Sequence, residues 1–207
     1  MTNIAVLVSG GGTNLQALID AQQAGQIEEG RIALVISSTP RAYALERAAK
    51  AGIPTAVLQR SAFPTPQAYA EALDALLRER AIGLVVLAGF LTVLPARFCR
   101  AWEGRIINVH PSLIPAFCGE GYYGLRVHEA ALAKGVKVTG ATVHFVSEVV
   151  DGGAIIAQQA VPVEPDDTPE TLQRRVMEQA EWKLLPQAVS DFCAGRLSVQ
   201  GARVMRK

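Results

Sequence analysis

Short apolar runs rich in β-branched residues alternate along this chain with longer segments of helical spacing, and that alternation is what most restricts its fold. Strands covered on both faces read as continuous apolar runs, and parallel strands need a crossover helix between them. Ile4-Ala5-Val6-Leu7-Val8 is the clearest such strand. Helices are expected over 14–24, 42–50 and 66–80, the last with Tyr69, Leu73, Leu76 and Leu77 on one face, and strands over 32–36, 55–58 and 84–88. Pro95 suits the first position of a short helix ending at Ala101. Farther on, 105–109 reads as a central strand, 110–124 as a long loop and 125–134 as a helix. Adjacent strands follow over 137–146 and 154–161, joined by a turn at Asp151-Gly152-Gly153, then one long helix over 169–194 and a peripheral strand over 197–204. The expected class is α/β: a Rossmann-like, doubly wound, mostly parallel sheet with a C-terminal antiparallel extension, in one domain spanning 1–207.

At 207 residues such a domain buries enough surface to need neither disulfide nor metal. Twenty Lys and Arg against nineteen Asp and Glu leave a formal net charge of +1, too little for the broad positive field that nucleic-acid binding uses. An anionic partner must therefore be held locally. Cys99, Cys118 and Cys193 are far apart, odd in number and free of CxxC spacing, which argues against a disulfide framework or zinc ribbon and fits a reducing compartment. The apolar run at the N-terminus is far shorter than a signal h-region or a membrane span. The expectation is a cytoplasmic protein with neither a nucleic-acid nor a membrane partner.

Ser9-Gly10-Gly11-Gly12-Thr13-Asn14 lies between a strand and a helix, where free N–H groups and the helix dipole favour an anion. A dinucleotide fingerprint would need glycine where Leu15 stands and an acid where Ser37-Ser38 stand, and no Gly-Lys-Ser/Thr follows. A phosphomonoester is the better guess; a turn that only closes the strand–helix corner is the alternative. Asn14 either donates from its amide or caps the helix.

Asn108-Val109-His110-Pro111 ends a strand, and residues two apart on a strand share a face. Pro111 keeps His110 extended. An amide donor beside an imidazole suits acyl chemistry, because both can stabilise charge developing on a carbonyl oxygen and the imidazole can move a proton. Asp151, if beside His110, favours the imidazolium and raises its pKa; equally, it serves only its turn. His110, His128, His144 and Asp151 lack the spacing of a metal site, and His144, inside an apolar strand, reads as a structural histidine.

These segments resemble the 10-formyltetrahydrofolate-dependent formyltransferases. The match runs in order through Ser9-Gly-Gly-Gly-Thr-Asn-Leu-Gln-Ala17, Leu87-Ala-Gly-Phe90, Ile107-Asn-Val-His-Pro-Ser-Leu-Ile-Pro115, Gly140-Ala-Thr-Val-His-Phe-Val146 and Asp151-Gly-Gly153. The resemblance implies that the amine of glycinamide ribonucleotide attacks the formyl carbon of 10-formyltetrahydrofolate, a step of purine synthesis, without metal, in a monomer or homodimer. It makes Asn108 and protonated His110 the oxyanion partners, with Asp151 holding His110 charged and positioning a water. Thr142 and His144 are supports. Gly11, Gly12, Thr13 and Asn14 would hold the phosphate, and Glu181 and Gly119 other parts of that substrate. Folate would lie on Leu87, Phe90, Leu91, Thr92, Val93, Leu94, Val146, Ser147, Glu148, Val149 and Val150. Residues 1–100 thus form a phosphate-binding half and 101–207 a catalytic and folate-binding half.

The chain departs from the family pattern in three places. Pro66 and Thr92 stand where relatives carry arginines toward the phosphate and the folate, leaving Arg60 as a candidate substitute. The segment Phe117 to His128 is longer than usual, and Gly119, Gly121 and Gly124 suggest a mobile cover. Cys118, within it, reads as an incidental thiol. Relatives acting on formyltetrahydrofolate alone, on aminoacyl-tRNA or on nucleotide sugars usually carry an extra regulatory or nucleic-acid-binding domain, and the expectation from this length is that none is present here.

Overall fold

Period-two alternation sends successive side chains of β1 (Thr2–Val8) to opposite faces of the sheet: Ile4, Val6 and Val8 enter one core cluster, Ala5 and Leu7 another. The computed structural model, which describes all 207 residues, places this strand third in a single nine-stranded sheet. Its neighbours are β2 (Gly30–Ser37) and β4 (Ile82–Leu87), both parallel to it. Outside these lie β3 (Thr55–Val57) on β2 and β5 (Ile106–His110) on β4. The remaining strands are β6 (Val138–Phe145), β7 (Ile155–Pro162), β8 (Leu197–Gln200) and β9 (Arg203–Arg206). The order is β3-β2-β1-β4-β5-β6-β7-β9-β8, with β6 antiparallel to both β5 and β7. The doubly wound parallel half and the antiparallel extension are as the sequence predicts.

Helices cover both faces. From α1 (Thr13–Gln23) come Leu15 and Leu18, and from α2 (Tyr43–Lys50) Ala44 and Ala48, to pack beneath β1 and β4 on one side. On the other side are Tyr69, Leu73 and Leu77 of α3 (Pro66–Glu79) with Phe98 and Cys99 of α4 (Ala96–Ala101). A third cluster joins Ala131 of α5 (Leu125–Lys134) to Leu172 and Val176 of α6 (Pro169–Val176), against Ala141 and Val161. The last long helix is α7 (Trp182–Cys193). No helix is long and apolar enough to cross a membrane.

The chain leaves β1 toward β2 on one side, while β4 lies on the other, so the connections following β1 and β4 diverge at the carboxyl edge; open α/β sheets form their ligand crevice there. The two connections are tied together, Ser9 N–H donating to the Gly89 carbonyl (3.1 Å) and Leu91 N–H to Ser9 Oγ (3.0 Å).

Three expectations are corrected. Pro95 is extended, with ψ 148°, and caps α4 from outside; its carbonyl takes the Phe98 and Cys99 N–H groups. The span 169–194 is not one α-helix. A π-helical stretch, Met177–Glu181, separates α6 from α7, and just beyond it Pro186 lacks the N–H that would bond the carbonyl of Trp182. The C-terminal strand is a hairpin of β8 and β9, because Gly201 takes φ 60° and turns the chain.

Candidate functional site

Gly12 takes φ 72°, and a Cβ placed there would lie 2.6 Å from the Cβ of Ala44; glycine is thus required both by backbone conformation and by the close approach of α2. The Gly10 carbonyl accepts from Ala44 N–H (3.1 Å) and the Gly11 carbonyl from Arg47 Nε–H (2.8 Å). The N–H groups of Gly11, Gly12 and Thr13 find no backbone acceptor. Asn14 does not cap α1; its Nδ2 donates to Glu181 Oε2 at 2.6 Å. Thr13 Oγ1 faces the sulfur of Met177 at 3.6 Å.

The π stretch sets Glu181 inward, where it is 5% exposed. Burial pushes its carboxyl up from 4.5 to about 7, against the opposing Asn14 bond. A raised folded-state value means that proton binding stabilises the fold fully below the unfolded value of 4.5 and that this contribution is lost as pH rises to about 7. Glu181→Gln is therefore expected to be more stable than the parent at pH 8, by on the order of 3 kcal/mol, and indistinguishable from it at pH 4. Urea unfolding of both proteins at the two pH values checks this.

Asn108 and His110 share a face of β5, opposite His144 and Thr142 of β6 in the strand register. The Phe145 carbonyl can only accept, so His144 Nδ1, 2.8 Å from it, carries a hydrogen. Nε2 of a ring in that tautomer can then accept from Asn108 Nδ2 at 3.1 Å. By the same logic His110 donates from Nε2 to the Phe117 carbonyl at 2.9 Å. Asp151 bridges the two rings, Oδ2 lying 3.6 Å from His110 Nδ1 and Oδ1 3.6 Å from His144 Nε2. Its Oδ2 also accepts the Gly119 N–H at 2.8 Å. Glycine is required at 153, where a Cβ would run into the Phe145 carbonyl; the close packing of the turn on β6 brings Asp151, at φ 54°, back to the histidines.

Asp151 thus does more than serve its turn, but the expected rise in the His110 pKa is not what results. His110 is 4% exposed, and burial pulls its pKa below 6.5 even though the Asp151 charge and the Phe117 bond oppose it. Burial also acts to raise Asp151, yet His144, the Gly119 amide and His110 together hold it below 3.8. His128 is fully buried with neither ring nitrogen partnered; burial, then the charge of His110, pushes it down to about 4. No grouping of three or more His, Cys, Asp or Glu side chains has metal-binding geometry.

Asn108, His110, His144 and Asp151 line a cavity of about 670 Å³. Leu87 and residues 89–94 line it from the connection after β4, with Val146, Ser147, Glu148 and Val150 facing them. Val149 does not line it, being turned outward and 67% exposed, and Glu148 pairs with Arg100 of α4. Thr142 lies outside it as well. Its hydroxyl donates to the Ser112 carbonyl (2.6 Å) and accepts from Ile114 N–H (3.1 Å), tying down the segment after β5. Gly11, Gly12, Thr13, Asn14 and Glu181 are not in its lining; Thr13 instead lines a second cavity, of about 420 Å³, together with Gln16 and Arg47. Gly119 lines the first cavity with its N–H already committed to Asp151.

The sequence reading missed Tyr122 and Tyr123, which bring aromatic surface from the lengthened loop to the cavity; two adjacent aromatics in a glycine-rich loop were the available signal. It also missed Arg47, which touches the glycine loop where Arg60 does not: Arg60 donates to the Phe63 carbonyl of its own turn at 2.8 Å.

The profile of a family described as formyl transferase matches residues 2–189. Phosphoribosylglycinamide formyltransferase of Haemophilus influenzae is 42% identical over 200 residues, 97% of this chain and 91% of that protein. Trifunctional purine biosynthetic protein adenosine-3 of Gallus gallus is 43% identical over 196 residues, 95% of this chain, which spans only 19% of that longer relative. A crystal structure of glycinamide ribonucleotide transformylase 1 from Symbiobacterium toebii superposes with a TM-score of 0.93 at 44% identity, covering 100% of this chain and 94% of that one.

Proposed function

Because the chain belongs to the formyl transferase family, we propose that it carries the formyl group of 10-formyltetrahydrofolate to the amine of glycinamide ribonucleotide, yielding formylglycinamide ribonucleotide and tetrahydrofolate for purine synthesis. The observation that carries this reading is the meeting of Asn108, His110 and Asp151 in the lining of a cavity of about 670 Å³ that also takes apolar side chains. A flat cosubstrate with a reactive carbonyl fits that lining: Leu87, Phe90 and Leu94 for its rings, the polar triad for its formyl group.

In this mechanism the amine nitrogen forms a bond to the formyl carbon, and the C=O electron pair moves to oxygen. Asn108 Nδ2 has two hydrogens. One is engaged by His144, which orients the amide so that the other can meet the oxyanion. His110, neutral at rest through burial, takes up on Nδ1, the nitrogen facing Asp151, the proton that the attacking amine releases, and the resulting imidazolium stabilises the oxyanion until that proton moves on. Collapse restores C=O and breaks the bond to N10 of the folate. The proton lost by the amine reaches N10 through a water held by Asp151, so that atoms and charge balance. The glycine loop takes the substrate phosphate on the N–H groups of Gly11, Gly12 and Thr13, and Glu181 and Asn14 support the loop from behind.

The test is a product assay with purified protein and 10-formyltetrahydrofolate, with and without glycinamide ribonucleotide. Formylated product and tetrahydrofolate are expected only when both substrates are present. Tetrahydrofolate released without the nucleotide would assign hydrolysis instead, and silence in both arms would leave a phosphate-binding module.

A further inference from the structure

Both carbonyls at the apex of the glycine loop are held by α2: that of Gly10 by the Ala44 amide at 3.1 Å and that of Gly11 by Arg47 Nε at 2.8 Å. In a trans peptide the C=O of one residue and the N–H of the next point in opposite directions. Fixing these two carbonyls against α2 therefore turns the N–H groups of Gly11 and Gly12 away from it, toward open space at the carboxyl edge of the sheet. The Ala44 contact is backbone to backbone and survives any side-chain change there. The Arg47 contact depends on one side chain.

That side chain is itself fixed on three sides. Nη1 donates to Gln16 Oε1 on α1 at 3.1 Å, the guanidinium lies 5.0 Å from the centre of the Tyr43 ring, and the stem passes Gly12 closely enough that a Cβ there would lie 3.5 Å from Arg47 Cδ. Its Nε bond to the Gly11 carbonyl is charge-assisted and polarises the peptide whose N–H belongs to Gly12. We infer that Arg47 is a positioning residue for the anion site: bonded behind the loop, it aims and strengthens the Gly12 amide toward the substrate phosphate without touching the phosphate itself. This rests on the proposed function only in taking a phosphorylated substrate.

The test compares the parent, Arg47→Gln, Arg47→Lys and Gln16→Ala. Ribose 5-phosphate is titrated into each 15N-labelled protein while the Gly11 and Gly12 amide signals are followed, and KM is measured for nucleotide and folate separately. Arg47→Gln is expected to weaken ribose 5-phosphate binding and raise the nucleotide KM by about 10- to 100-fold, with the folate KM and kcat changed less than about threefold. The free-state Gly12 amide signal should also move. Arg47→Lys should fail to restore binding, because an ammonium on a flexible stem cannot bond Gly11 and Gln16 at once. Gln16→Ala, which keeps the Gly11 bond, should give a smaller loss and report even if Arg47→Gln folds poorly. Parent-like binding by Arg47→Gln would overturn the inference, as would full rescue by lysine, which would reduce the role to charge alone. A parent protein that binds no ribose 5-phosphate and forms no product would instead overturn the proposed function.

Discussion

In His110→Ala, kcat is expected to fall by about 100- to 10,000-fold, because one substitution removes both an oxyanion partner and a proton carrier. The ring sits at the end of β5 with its Nε2 hydrogen on the Phe117 carbonyl, so the variant also frees one tie on the loop above the cavity. That tie is not the only one there. Ser112 Oγ donates to the Ala116 carbonyl at 2.6 Å and Gly119 to Asp151 at 2.8 Å, so the loop should stay in place and KM change little. Steady-state kinetics alongside a thermal melt separates loss of chemistry from loss of fold. Turnover near that of the parent, in a folded variant, would sink the assigned mechanism.

Asp151→Asn is expected to cost about 100- to 1,000-fold in kcat with even less structural change. An asparagine oxygen can keep the Gly119 bond, since that contact needs only an acceptor. What disappears is the negative charge 3.6 Å from each histidine ring. That charge opposes the effect of burial on His110, so its removal should lower the His110 pKa further, and an NMR titration of the ring should show the midpoint moving down. With a lower value, His110 stays neutral to more acidic pH, and the acid limb of the activity profile should shift in the same direction. Unchanged titration of His110 would show that Asp151 acts through the bound water alone.

Much of this arrangement was legible in the chain itself, and the reasons differ by residue. Asn108 and His110 could be paired because strand alternation puts positions two apart on one face. The glycine loop could be placed because a buried apolar run precedes it and a helix follows. Direction of titration was not legible. The charge of Asp151 is visible in sequence, whereas the burial that outweighs it at His110 comes with β6 and the loop after β5 meeting at the ring. Arg47 was hidden for a related reason: nothing on its own helix distinguishes it from Lys50, and its partner Gly11 lies one crossover away. The cover loop's length could be seen, but not that its backbone would serve His110 and Asp151.

The widened turn at Met177–Glu181 has one further effect. Along the helical segment the buried apolar positions of the core run 172, 176 and 180, then 185, 188 and 189, and the five-residue step from Ala180 to Leu185 is the mark of the added residue. Each residue turns an α-helix by about 100°, so this step shifts the apolar stripe from the outer cluster of Leu172 and Val176 to the main core at Leu185 and Val189. The two ends of the segment consequently answer to different neighbours. Leu184 of α7 packs against both clusters and is where a change in the packing of α5 on α6 would be felt across the widened turn, so the extra residue works like a slip joint with one pin.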